Sequence, residues 1–459
     1  MRFASLVLGT ILGAMLAMPA LAQSPVPSHT EIGEILERRV EDERQGVGLV
    51  VAVVEPGGTR IVSYGTLSLD DPTPVDGDTL FEIGSVTKVF TTLLLADAVV
   101  RGEVSLDQPV AELLPEGVTV PGREDIEITL RHLATQRSGL PRLPDNFAPA
   151  DPADPYADYT EDDLYAFLEG YELPRGIDAE YEYSNLGMGL LGHALALEAG
   201  TDYRTLLRER ILDPLGMDDT VLVASGEADA GRSAVGHDAA LNRVGEWNWD
   251  VLAGAGVMRS SGNDMAKFVA ALVGQAETEL DEAIALATEQ HAGVDDGTGI
   301  GLGWYISPTE NDAMVWHNGA TFGSSAMVAF LRDAGVGVVA LSNVQTPHGV
   351  TDLVSHLLVS EVPLVVPPQA VEVDPAVFEG LVGEYALAPD VSITVSSEDG
   401  KLFAQVTGQE AAEIFPLSET EYFYRIVDAQ LVFETDAGGR ATGLVLHQFG
   451  EEMPAERVE

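Results

Sequence analysis

The chain contains no cysteine. Neither a disulfide nor a lipid-modified cysteine can therefore form. Lysine is almost as scarce: Lys88, Lys267 and Lys401 are the only three, and 24 basic residues stand against 74 acidic ones for a formal net charge of −50. The acids are spread along the whole chain, which argues against nucleic acid and anionic membrane surfaces as partners. A diffuse negative surface serves solubility, and poverty in lysine suits a saline medium where screening weakens self-repulsion. The nine histidines form no HExxH-type metal-ligand pattern, so no metal or other cofactor is expected. No Gly-x-Ser-x-Gly elbow occurs, which removes the Ser-His-Asp hydrolases of α/β type. No solenoid-length repeat or low-complexity tract is present.

Hydrophobic runs are also few. After the N-terminus none is long enough to span a bilayer. The first residues, Arg2, the apolar run Leu6 to Met18 and then Ala20, Leu21 and Ala22, fit a secretory signal over residues 1–22 with cleavage before Gln23. Removing Arg2 takes one positive charge from −50 and leaves the mature chain at −51. The expected product is periplasmic or extracellular, with no membrane attachment after cleavage.

At 459 residues, 46% of them hydrophobic, the chain is too long for one core and too apolar for disorder, so a large domain and a smaller one are expected. Gly46 to Glu55, the turn Pro56-Gly57-Gly58 and Thr59 to Tyr64 read as a buried strand pair. Ser85 to Arg101 reads as a helix closed by Gly102, and Leu106 to Leu114 as a short helical piece interrupted by Pro109. Asn185 to Ala199 and Thr201 to Leu212 are helical in period, making the middle third mostly helix and loop. Met314 to Val315, Ser324 to Phe330 and Val336 to Leu341 are strand-like and suited to pair with the N-terminal hairpin, and Asp352 to Val359 reads as a closing helix. The three prolines of residues 362–374 mark a stiff linker. Beyond it six short, mostly alternating segments predict a small antiparallel barrel or half-barrel. They are Val391 to Val395, Lys401 to Val406, Glu413 to Pro416, Glu421 to Arg425, Gln430 to Glu434 and Thr442 to Gln448. The fold class is thus α/β (α+β): an antiparallel sheet flanked by helices, with a helical insertion and an all-β appendage.

Three stations carry chemistry. In FEIGSVTKVF, Phe81 to Phe90, Ser85 precedes Lys88 by three residues at the start of a helix. That spacing puts hydroxyl and amine on one face, at a helix N-terminus whose free N–H groups favour developing negative charge. The apolar helix behind would bury Lys88, at a cost that implies use. The second station is Tyr183-Ser184-Asn185, opening the helix that contains Gly187, Gly189 and Gly192. Asn185 also suits a plain helix cap. A tyrosine acts as a base near neutrality only with a cation beside it, and Lys88 is the available one. The glycines spell GxGxxG but lie inside a helix and follow no strand, which removes the dinucleotide reading. The third is His317-Asn318-Gly319 entering a strand, where Gly319 permits close backbone approach and the Ala320 N–H could face that of Ser85.

Together these stations resemble the serine β-lactamase and penicillin-binding-protein superfamily, especially the class C β-lactamases and their esterase and D-peptidase relatives. FEIGSVTK resembles the class C active-site signature, Tyr183-Ser184-Asn185 matches its Tyr-x-Asn element, and His317-Asn318-Gly319 stands where the family has Lys-Thr-Gly. Gln136 to Pro141, Asp213 to Met217 and Gly254 to Phe268 add support. The resemblance spans about Glu31 to Ser360 and implies a β-lactamase/transpeptidase-like domain over residues 23–361. Residues 375–459 resemble the lipocalin-like domain attached to some of these hydrolases. It further implies an acyl-enzyme on Ser85, with Lys88 and Tyr183 moving its proton, Asn185 binding the substrate amide, and the Ser85 and Ala320 N–H groups forming an oxyanion hole. The implied substrate is a small molecule or peptide: a β-lactam, a D-amino-acid peptide or an ester. Histidine at 317 is mostly neutral above pH 7 and cannot hold a substrate carboxylate as lysine does, which favours ester, amide or internal peptide substrates. A carboxylesterase, or a penicillin-binding sensor acylated without turnover, would carry the same motifs.

Overall fold

The computed structural model describes residues 26–222, 231–295, 297–448 and 450–458. The signal segment and its cleavage site lie outside the described residues. Strands β1 (Gly48–Glu55) and β2 (Gly58–Gly65) form the expected hairpin. Every residue of β1 from Gly48 to Val54 is buried because both faces meet a core. Val50, Ala52 and Val54 join one apolar cluster, and Leu49, Val51 and Val53 join another. That is why the segment reads as a continuous apolar run and not as an alternating one.

The remaining strands of this sheet are β3 (Ala292–Asp295), β4 (Thr298–Ile300), β5 (Tyr305–Pro308), β6 (Ala313–Ala320), β7 (Ser325–Leu331) and β8 (Val336–Ser342). Their order is β2-β1-β8-β7-β6-β5-β4-β3, antiparallel throughout, with Leu49 opposite Ser342 where the late strands join the N-terminal hairpin. The pairing expected between early and late strands is present. The short strands β3, β4 and β5 extend the sheet beyond what the sequence predicted.

Helices cover both faces. In chain order they are α1 (His29–Glu41), α2 (Thr87–Val100), α3 (Asn185–Ala199), α4 (Gly262–Leu272) and α5 (Thr351–Leu358). Helices α1 and α5 pack on one face and are joined by the buried ion pair of Arg39 with Asp352. On the other face lie α2, α3 and α4. Helix α2 is buried from Thr87 to Ala98 on all sides, the pattern of a central helix and not an amphipathic one. Two helical readings need correction. Of Leu106 to Leu114 only Val110–Leu113 forms a 3-10 turn, directly after Pro109. The run from Thr201 instead begins at Tyr203 and widens to a π turn over Arg208–Leu212.

The C-terminal strands form a closed eight-stranded barrel. All six expected segments are strands of it. Gly383–Ala388 and Glu451–Arg457, which the sequence did not reveal, pair with each other through Tyr385 opposite Arg457 and close the ring. Closure removes the exposed edges a half-barrel would leave. Tyr385, Tyr422 and Phe433 meet edge-to-face inside, at 5.8 and 5.7 Å, with Ile393, Leu402, Leu431 and Leu444 around them. The interior is therefore a packed core. The linker is fastened at both ends: the Val365 N–H donates to Asp352 at 2.8 Å, and the Val371 N–H to the Pro416 carbonyl at 2.9 Å. Among the described residues no helix is long and apolar enough to cross a membrane.

Candidate active site

Ser85 lies in a single 3-10 turn, Gly84–Val86, that feeds α2. The expected helix over Ser85 to Arg101 thus opens with one tighter turn. The Lys88 Nζ sits 3.0 Å from the Ser85 Oγ and donates to the Ala255 carbonyl at 2.6 Å. Lys88 is fully buried, and its pKa is held well below the ordinary lysine value, first by burial and then by the positive charge of Arg142. A lysine so placed gives up its proton more readily than one in water.

Tyr183 and Asn185 are brought to Ser85 by the loop that contains Gln136 to Pro141. The Ser184 N–H donates to the Gln136 side chain at 2.7 Å, and the Ser184 hydroxyl to the Pro141 carbonyl at 2.6 Å. Ser184, not Asn185, caps α3, accepting from the Gly187 N–H at 2.8 Å. That leaves the Asn185 side chain free for other work. Its amide donates to the Tyr156 hydroxyl at 3.0 Å, while its Oδ1 is buried with no partner among the described residues. An orphaned buried acceptor is costly; a substrate N–H would satisfy it.

Burial pushes the Tyr183 pKa well above the ordinary phenol value, a shift that the nearby Ser85 side chain and Arg142 oppose. Two cationic groups stand near the tyrosine ring, the Lys88 Nζ at 4.9 Å from the ring centre and the Arg142 guanidinium carbon at 5.1 Å. Burial thus moves the two groups in opposite senses, the Lys88 pKa down and the Tyr183 pKa up, and the Arg142 charge lowers both.

Strand β6 brings His317, Gly319 and Ala320 against the Ser85 turn. A Cβ on Gly319 would lie 2.0 Å from the Ile83 carbonyl oxygen and 2.8 Å from the Ser85 nitrogen, and one on Gly84 would lie 2.8 Å from the Ala320 nitrogen. Both glycines permit this edge-to-edge approach, and Gly84, at φ +49°, also needs the left-handed region. The Thr321 N–H bonds the Ser324 carbonyl at 3.0 Å. By antiparallel alternation the Ala320 N–H then points away from Ser325, its partner on β7. Strand β5 pairs no further along β6 than Trp316, so it does not take that N–H. His317 is 2% exposed, and its Nδ1–H donates to the Asn318 carbonyl at 2.6 Å. Its pKa is pushed down to about 3, first by burial and then by Lys88, so it is neutral at working pH.

Several residues around the site were not foreseen. The Arg142 guanidinium carbon lies 5.1 Å from the Tyr183 ring centre; it directly follows Gln136 to Pro141 in sequence. Glu82 accepts from the Thr321 hydroxyl at 2.7 Å and from the Trp247 N–H at 3.0 Å, tying the end of β6 to a neighbouring loop. Tyr156 stacks on Trp249 at 3.6 Å, and Trp247 meets the half-exposed Phe322 edge-on at 4.7 Å. These rings form an aromatic wall next to Asn185. Aromatics so far apart in sequence give no local signal.

A serine hydroxyl beside an amine whose pKa is lowered, at the foot of a buried phenol, is suited to acyl transfer. Comparison with known proteins agrees. A family model described as Beta-lactamase matches residues 34–359, and one described as a domain of unknown function (DUF3471) matches residues 367–457. The chain is 29% identical over 367 residues to a β-lactamase of Pseudomonas fluorescens, spanning 72% of this chain and 99% of that protein. It is 27% identical over 392 residues to the D-alanyl-D-alanine-carboxypeptidase/endopeptidase AmpH of Escherichia coli strain K12, spanning 79% and 99%. A class C β-lactamase from Rhodobacter sphaeroides is similar in structure, with a TM-score of 0.62 and 26% identity over 72% of this chain and 99% of that one. With the fold, the three stations and these relatives in agreement, the chain belongs to the serine β-lactamase and penicillin-binding-protein superfamily and is a serine hydrolase.

Proposed function

We propose that this protein is an exported hydrolase that opens an amide, lactam or ester bond through an acyl-enzyme on Ser85. The observation that carries the reading is the buried Lys88 amine, 3.0 Å from the Ser85 Oγ and 4.9 Å from the centre of the Tyr183 ring, which brings the three groups together. Lys88 takes the Ser85 proton as the Oγ attacks the carbonyl carbon. The oxyanion is received by the Ser85 and Ala320 N–H groups, and Asn185 orients the substrate amide. Tyr183 donates its proton to the leaving nitrogen or oxygen as the C–N or C–O bond breaks, and Lys88 returns one to Tyr183. Water then attacks the ester carbon and releases Ser85. Export rests on the N-terminal residues, and the catalytic unit is assigned to residues 23–361, the linker to 362–374 and the barrel to 375–459.

Relatives named as a β-lactamase and as a D-alanyl-D-alanine-carboxypeptidase/endopeptidase favour a β-lactam or D-amino-acid-peptide substrate. The neutral His317 supports a second reading, a carboxylesterase acting on short acyl esters. One preparation assayed on a chromogenic cephalosporin, a short-chain nitrophenyl ester, a D-alanyl anilide and a D-Ala-D-Ala peptide decides between them by the highest kcat/KM. A burst without steady-state release on all four would overturn the hydrolytic reading.

Two variants probe the role of β6. A methyl group on Gly319 must push the strand from the Ser85 turn, so Gly319→Ala is expected to lower the acylation rate by about 10²-fold, the scale of one lost oxyanion donor. An unchanged single-turnover rate would remove Ala320 from the oxyanion hole. His317→Lys adds a cation and should raise kcat/KM for the cephalosporin relative to the neutral nitrophenyl ester. A flat ratio would show that position 317 does not face the substrate's carboxylate.

A further inference from the structure

Among the described residues bordering the cleft, one cation stands without a carboxylate partner. His317 is neutral and Lys88 is buried beneath Ser85. The other arginines on the bordering segments are held by carboxylates: Arg137 by Asp178 at 2.5 Å, Arg175 by Glu182, and Arg259 by Glu246 at 2.7 Å. Arg142 is different. Its side chain is exposed and makes no ion pair or hydrogen bond among the described residues; its one contact of this kind is the face of the Tyr183 ring. Other described arginines also lack a carboxylate, but Arg123 and Arg332 bond elsewhere and Arg425 lies over Phe415 in the barrel, whereas Arg142 stands over the Tyr183 ring.

Four acids on the bordering segments are engaged elsewhere. Glu182 holds Arg175, Glu82 holds Thr321 and the Trp247 backbone, Asp178 holds Arg137, and Asp154 accepts from the Asn248 side chain at 2.7 Å. The Arg142 backbone is meanwhile fixed to the site, its carbonyl accepting from the Asn185 N–H at 3.0 Å and the Leu186 N–H at 3.3 Å. The guanidinium also faces inward electrostatically, since its charge is felt at Lys88, Tyr183 and Tyr156. An arginine on a fixed backbone, open to solvent and aimed over the acid of the reaction, presents a fork of donors that fits a carboxylate.

We propose that Arg142 binds a carboxylate on the substrate and so selects, among lactams and D-amino-acid peptides, those that carry a free acid group near the scissile bond. This rests on the reading of Ser85 as the nucleophile. Arg142 thereby supplies from the loop before α3 the permanent cation that β6 lacks at His317.

Matched pairs test it: a cephalosporin against its methyl ester, and a D-Ala-D-Ala peptide against its C-terminal carboxamide. The wild type should prefer the acid in at least one pair, and the pair that shows the preference identifies the carboxylate's source. Arg142→Ala should reduce that preference by about 10-fold or more, mainly through KM, and Arg142→Lys should restore part of it. If Arg142 acted only by tuning Lys88, the alanine variant would shift the pH profile of both members alike and leave the ratio fixed. A ratio within about twofold of wild type in both pairs therefore overturns the proposal. Wild-type enzyme that hydrolyses no member of either pair and shows no acyl adduct on Ser85 by mass spectrometry would overturn the nucleophile reading, and the proposal with it. Turnover with an unaltered ratio overturns the Arg142 assignment alone.

Discussion

Replacing Ser85 by alanine should lower kcat/KM on every substrate by at least about 10⁴-fold, leaving only what binding and the oxyanion donors supply to water. The change removes one exposed-side oxygen from a turn whose shape is set by Gly84 and by the approach of β6, so the fold should persist. Loss of turnover with an unchanged thermal midpoint is the expected pair of results. The acyl adduct seen by mass spectrometry with a β-lactam should vanish as well. Hydrolysis retained in a pure sample would remove Ser85 from the mechanism.

Lys88→Met should cost nearly as much, about 10³- to 10⁴-fold in kcat/KM, because a positioned general base is lost without a change in shape. Its effect on stability should have the opposite sign. The pKa of Lys88 is depressed in the folded state, so the unfolded chain binds its proton more tightly, and at neutral pH the group opposes folding; that penalty disappears as pH rises toward 10.5. An apolar side chain of similar length should therefore raise the thermal midpoint at pH 7 while abolishing activity. A merely structural lysine would show both falling together. The same shift governs wild-type activity. Rate should climb as Lys88 loses its proton and reach a plateau well below pH 10.5, and the fall at high pH should come late because Tyr183 holds its proton beyond the ordinary phenol range. Arg142→Ala removes a charge that lowers the Lys88 pKa, so the rising limb should move to higher pH.

The parts of this molecule readable in advance are those whose signal is local. The apolar run of β1, the period of α3 with Gly200 at its end, and the turn at Asp399-Gly400 each follow from which residues tolerate which backbone. The two strands that close the barrel were illegible for the same reason. Glu451–Arg457 contains Pro454 and buries only Ala455, and Gly383–Ala388 fully buries only Tyr385. Neither has an alternation strong enough to read, and only the partner strand makes each one a strand. Strands β3, β4 and β5, at 4, 3 and 4 residues, are too short to show a period.

The site divides along a similar line. Ser85 with Lys88, Tyr183 with Asn185, and His317 with Gly319 were each suggested by spacing within one segment, because helix and strand periods place such neighbours on one face. Their convergence was expected from the family pattern. The orphaned Asn185 oxygen, the aromatic wall of Tyr156, Trp247 and Trp249, and the carboxylate of Glu82 beneath Thr321 come from distant segments and left no such trace.

The sequence by itself determined the reaction type: a serine three residues before a lysine at a helix start, with tyrosine and a glycine-bearing strand to follow, in a chain without cysteine and nearly without lysine. Only the tertiary structure decided the directions in which the pKa values move, down for Lys88 and His317 and up for Tyr183. Those depend on burial and on which arginine stands nearby, and the free energy of a charge is set by the surrounding dielectric and neighbours in space, not by position along the chain.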